Sequence, residues 1–219
     1  MKSFVIYAFL FSFVFTNISL AASAPMAEPL LLTSAAVELR SNMRKLWEDH
    51  IMYTRNYIIS DLADLPDKAK IAERLLKNQS EIGNAIKPFY GNEAGDKLTT
   101  LLKEHIIIAT KVTDAAKKKQ DAKLKAASAD WNKNAEDLAA FLSSANPNWK
   151  RSEVGAMLAK HLALTTNEVT SRLKKSWDED IAAYDAGHDH MLMFSDMLTH
   201  GIVTQFPDKF KNKSMAYSD

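Results

Sequence analysis

LLKEHIIIA, residues 101–109, decides the fold. Leu98, Leu101, Leu102, His105, Ala109 and Val112 recur at the three- and four-residue intervals of one helix face, so the stretch is an amphipathic α-helix with a histidine on its apolar stripe. The same pattern stands 55 residues earlier in LWEDHIMYT, around His50, and 56 residues later in MLAKHLALT, around His161. An apolar residue precedes each histidine by four positions (Leu46, Leu101, Met157), and an aliphatic one follows it (Ile51, Ile106, Leu162). One buried histidine is ordinary. Three at equivalent positions of a repeat are expected to converge on one point.

Outward from these stretches nearly everything after Ser34 keeps helical period, and strand alternation is absent. The predicted helices cover 34–62, 67–87, 93–117, 120–143, 151–175 and 177–205. Leu65-Pro66-Asp67, the Pro88 to Gly91 segment, the lysine run 117–119 and Asn146-Pro147-Asn148 mark the breaks. Thr33 or Ser34, and Ser152, are the expected N-caps. The repeat covers pairs of helices: Ile82 to His105 and Leu138 to His161 are both 23 residues. Repetition at this period, with short connections, predicts an all-α, six-helix bundle built from three repeated helical hairpins. Residues 34–206 form the bundle domain, between a loose segment at 22–33 and a C-terminal tail at 207–219.

The chain opens with Lys2, a strongly apolar run at 4–18 and small residues after it, the layout of a secretory signal peptide. Ser19-Leu20-Ala21 places cleavage near Ala21. The run of about 15 residues is shorter than the ~20 needed to span a bilayer, so no membrane span is expected after cleavage. Removing residues 1–21 takes away Lys2 and no acid, leaving 27 basic against 27 acidic groups. That balance excludes the strong positive field of a nucleic-acid binder. With no cysteine, the chain has no disulfides and no thiolate ligands. The expected location is periplasmic or secreted.

Each predicted helix points a polar residue inward. His50, His105 and His161 do so on the odd-numbered helices. Asn78, Asn134 and His188 are expected to do so on the even-numbered ones, His188 on a stripe with Ile181, Tyr184, Leu192 and Leu198. His190, two residues from His188 and so about 200° around the helix, is expected at the surface, as is His200. Burying an unpaired polar group costs ~1–3 kcal/mol. This layer must therefore satisfy itself, hold water, or bind something.

Two uses of the layer stay open. Neutral imidazoles of His50, His105, His161 and His188 could ligate a transition metal, zinc or copper, with Asn78 and Asn134 orienting them or holding water. Alternatively the layer is a hydrogen-bond network in an interaction or scaffold protein and takes no metal. A metal-dependent hydrolase is a third expectation and needs an open coordination position beside a base. The ligand would be a metal ion or another small molecule. Glu48 is a candidate acceptor for a histidine on another helix.

Residues 46–206 resemble a family of small exported bacterial all-helical proteins of unassigned function. LWEDHIMYTRNYIIS, NAIKPFYG, LLKEHIIIA and SDMLTHGIVTQFP carry the resemblance. It implies an all-helical fold and no catalytic residues. Some members bear a glycosyltransferase label, which no glycine-rich nucleotide loop or strand in this chain supports.

Overall fold

A computed structural model describes residues 33–211; the expected signal segment at 1–21, most of 22–33 and the end of the tail lie outside the described residues. Within them the protein is all-helical, with no strand. Five α-helices follow in order: α1 (Ser34–Leu62), α2 (Lys68–Lys117), α3 (Asp121–Ala145), α4 (Arg151–Leu173) and α5 (Trp177–Gln205). Thr33 caps α1, its hydroxyl accepting from the Ala36 N–H at 3.3 Å, which satisfies one of the free amides of the first turn.

The count differs from the expected six because the second and third predicted helices are arms of one element. α2 turns at Gly91, where φ is 83° and ψ 172°. L side chains disfavour that conformation, and glycine adopts it freely. Gly83 and Gly95 reveal the sharpness of the turn. In a straight helix, residues twelve apart lie ~18 Å apart. Here a Cβ on Gly83 would fall 2.5 Å from the Gly95 carbonyl oxygen, so the arms fold back against each other. Pro88 sits in the last turn of the first arm and helps end it.

The other helix ends share one device. Asp64, Lys119 and Lys175 take positive φ, at 54°, 53° and 59°, just past α1, α2 and α4. The next residue's amide reaches back five positions at 2.9 Å in each case: Leu65 to Ser60, Gln120 to Ala115, Ser176 to Ser171. This is a Schellman closure without glycine. Each left-handed residue lies fourteen positions after its histidine.

Around the bundle α1 packs on α2, α2 on α3, α3 on α4, α4 on α5, and α5 returns to α1. The ring encloses one core containing Met43, Trp47, Ile82, Leu98, Leu138, Leu158, Met191, Phe194 and Ile202. At the Gly91 end, a 3-10 turn (Pro207–Lys209) brings Phe210 onto Phe89, ring centroids 5.8 Å apart and nearly parallel. No helix among the described residues is long and apolar enough to cross a membrane.

Candidate functional site

His50 on α1, His105 on the second arm of α2 and His161 on α4 are all buried, at 2–3% exposure. Each occupies the apolar stripe that turns its helix toward the axis. The ring centroids of His50 and His161 are 5.6 Å apart, and those of His105 and His161 5.9 Å, so His161 lies between the other two. The three are thus neighbours in the core, with His161 in contact range of both others.

Each histidine helix is clasped by the helix that follows it, at a constant interval. The residue 29 positions after the histidine faces it or anchors its helix. Asn134 accepts from His105 Nδ1 at 2.8 Å while its amide donates to the Leu101 carbonyl at 3.1 Å. In the first pair this position is Gln79, whose Nε2 lies 3.3 Å from His50 Nδ1; the neighbouring Asn78 donates to the Leu46 carbonyl at 2.9 Å. In the third pair the position is His190, whose Nε2 donates to the Met157 carbonyl at 2.8 Å. All three anchoring carbonyls belong to the residue four before a histidine.

The expectations for α5 are therefore corrected. His190 is buried, with 6% exposed, and not at the surface. His188 does not join the layer: its side chain is 27% exposed and its Nε2 lies 3.3 Å from Glu48 Oε1. The cause is rotational. The buried stripe of α5 runs through Gly187, His190, Met191, Phe194, Ser195, Leu198 and Ile202, while Ile181 is half exposed. Counting 29 from His161, as from His105 to Asn134, identifies His190. Glu48 meets a histidine of another helix as expected, but an outward one. His200 is exposed, as expected.

Protonation follows from the network. The Trp131 indole N–H donates to His105 Nε2 at 3.1 Å, so that nitrogen is an acceptor and the proton sits on Nδ1, facing Asn134. His105 thus has both nitrogens engaged. His50 is held more loosely. The two hydrogens of Gln79 Nε2 face three acceptors, the Leu75 carbonyl at 2.8 Å, Asn78 Oδ1 at 3.1 Å and His50 Nδ1 at 3.3 Å, and the His50 contact is the longest. His161 Nδ1 is buried with no hydrogen-bond partner. Trp131 lies three residues before Asn134 on the same face of α3.

Desolvation controls the charge of the cluster. Burial, with repulsion from His105, pushes His50 down to about 3 despite the Gln79 contact. Burial lowers His105 to about 4 against the opposing bond to Asn134. Burial and the neighbouring histidines hold His161 well below the ordinary imidazole value. All three are neutral at pH 7, and the one lone pair of His105 is taken by Trp131.

The three histidines line an internal cavity of about 20 Å³, with Met43, Trp47, Trp149 and Met191 among its other walls. The indole nitrogens of Trp47 and Trp149 are also buried without partners. One turn further along the helices, a second cavity of about 30 Å³ is bounded by Thr54, Thr110, Thr113, Thr165 and Trp131. Among the described residues, no group of three or more His, Asp or Glu side chains is placed to hold a metal ion. The four-histidine ligand set expected from sequence is therefore not assembled: His188 lies outside and His105 is committed to Trp131 and Asn134.

No family model, no curated protein and no solved structure matches this chain.

Proposed function

We propose that this is an exported helical-bundle protein that binds one transition-metal ion in its histidine cavity, with His50 and His161 as ligands. The observation that carries the proposal is His161 Nδ1, buried without a partner in a ring lying 5.6 Å from the neutral His50 ring. A buried unpaired nitrogen costs ~1–3 kcal/mol, and coordination by an ion would recover that cost. Gln79 meets His50 from the side, and Asn78 anchors the His50 helix through the Leu46 carbonyl. The apolar run at 4–18 and the small residues before Ala22 support export to a periplasmic or extracellular location. The shared helix closures and the 29-residue interval support three related hairpins, with the arms of α2 counted as separate rods.

A second reading is favoured by one specific observation. His105 spends both nitrogens on Trp131 and Asn134, as a member of a purely structural network would. In that reading the layer fixes helix register in an interaction protein and takes no metal. Hydrolysis is not proposed, because a cavity of about 20 Å³ has room for one or two waters and no organic substrate.

Elemental analysis separates the two. The untagged protein is incubated with Zn, Cu, Ni or Fe salts, desalted and measured. The metal reading expects one ion per chain that is lost in His161→Ala. The structural reading expects none in either protein.

A further inference from the structure

We infer that the cavity is a site for a soft monovalent ion, Cu(I), held by His50, His161 and a methionine thioether from Met43 or Met191. The inference rests on the metal site proposed above and names the ion.

Coordination number is the first argument. Zinc closes four-coordinate sites with nitrogen, sulfur or carboxylate ligands. This cluster offers the unpartnered Nδ1 of His161 and the Nδ1 of His50, whose contact is the long one to Gln79 at 3.3 Å, while His105 is occupied by Trp131 and Asn134. No third His, Asp or Glu completes a set among the described residues. A filled-shell monovalent copper ion is satisfied by two or three ligands and carries no demand for a fourth.

Ligand softness is the second. A thioether favours a soft ion such as Cu(I), and imidazole suits copper as well as zinc. Met43 and Met191 both line the cavity that His50 and His161 line, and each is only 1% exposed. Methionine at helical spacing is ordinary core filler. These two differ from the half-exposed Met193 of α5 in lining the cavity that His161, with its unpartnered nitrogen, also lines.

Charge is the third. No carboxylate lines the cavity. The solvation lost by an ion in an apolar interior grows as the square of its charge, so a divalent ion here would lose about four times as much as a monovalent one. Binding Cu(I) leaves one net charge to be shared over neutral ligands. Binding Zn(II) leaves two with no anion beside them. Size agrees: about 20 Å³ holds one or two waters and no full hydration shell, so the ion enters largely stripped.

The test uses the full chain under anaerobic conditions. Cu(I) is titrated in competition with bicinchoninate, Zn(II) with a zinc-responsive chelator, and Ag(I) serves as a soft ion that does not change oxidation state. One Cu(I) or Ag(I) per chain is expected, at least 100-fold tighter than Zn(II). The double variant Met43→Leu with Met191→Leu conserves volume and is expected to weaken Cu(I) at least tenfold while leaving Zn(II) unchanged. If that variant fails to fold, the Cu(I)/Zn(II) ratio of the native chain decides alone. Zinc bound as tightly as Cu(I) would overturn this inference and leave the metal site standing. Unchanged Cu(I) affinity in a folded double variant would overturn the thioether assignment. No binding of any of the three ions would overturn the metal site itself.

Discussion

Trp131 donates its indole N–H to Nε2 of His105 at 3.1 Å, and this bond decides which histidines are free. It fixes the tautomer of His105 and closes its last lone pair, so in the proposed metal site coordination would fall to His50 and His161. Trp131→Phe removes the donor and keeps most of the ring. The buried acceptor then loses its partner, so stability is expected to fall by ~1–3 kcal/mol in urea unfolding. Metal affinity is expected to move the other way, because His105 is released as a third ligand. A loss of metal affinity in a folded Trp131→Phe protein would contradict the assignment.

Acid is expected to destabilise the fold through the same cluster. A histidine whose folded-state pKa lies below the unfolded value of ~6.5 contributes stability that is complete above that pH and lost below it. Folded values of about 3 for His50 and about 4 for His105 place the loss between pH 6.5 and 4. At pH 5 the cost is ~2 kcal/mol per histidine, by 1.36 kcal/mol per pH unit. Glu168 opposes this, since burial raises its pKa and its protonation favours the folded state. Melting temperatures between pH 8 and 4 should fall steeply below pH 6.5. In His50→Gln the fall should be shallower.

His190 and His188 exchange the roles their spacing suggested. His190→Ala removes a buried ring and its bond to the Met157 carbonyl, which keeps its helical partner, and should cost ~1–3 kcal/mol. His188→Ala touches only a surface pair with Glu48 and should change stability by less than ~0.5 kcal/mol. Urea midpoints of the two variants check this directly.

The misplacement has a physical source. The stripes of His50, His105 and His161 were legible because each lies in a helix with one apolar face. α5 has apolar residues on several faces, including Trp177, Ile181 and Met193, which are half exposed. A two-residue error there rotates the assignment by about 200°. The turn at Gly91 was visible as a break, but hydrogen bonding carries the helix to either side of it, and five elements result where six were expected. The pairing of His105 with Trp131 and the ion network of α1, α4 and α5 join residues far apart in the chain. No spacing rule predicts them.

That network centres on Asp180, which is 1% exposed. Arg55 and Arg172 both bind its carboxylate, with Arg55 Nη2 at 2.9 Å and Arg172 Nη1 at 2.9 Å, and Arg55 also reaches Glu168 at 2.8 Å. Burial alone would raise the Asp180 pKa, but the two guanidiniums outweigh it and hold the carboxyl low. Removing Asp180 leaves Arg172 without its carboxylate and Arg55 with Glu168 alone. Asp180→Ala should therefore cost ~3–5 kcal/mol. Calorimetry should show a correspondingly large drop in Tm.

Gly201 lies against Trp149, which walls the cavity. A Cβ there would come within 2.0 Å of Trp149 Nε1. Gly201→Ala should displace the indole and cost ~1–3 kcal/mol by overpacking. Trp149 fluorescence should shift, and metal affinity should change with the cavity wall.

Nitrogen NMR of the histidine side chains tests the central claim most directly. Long-range 1H–15N spectra of the labelled protein report each ring nitrogen as protonated, free or coordinated. Before metal is added, His105 should show a protonated Nδ1. On adding one equivalent of Cu(I) or Ag(I), one nitrogen each of His50 and His161 should move to the coordinated range while His105 and His188 stay unchanged. Spectra in which no histidine nitrogen responds, or in which His105 or His188 responds instead of His161, would contradict the account.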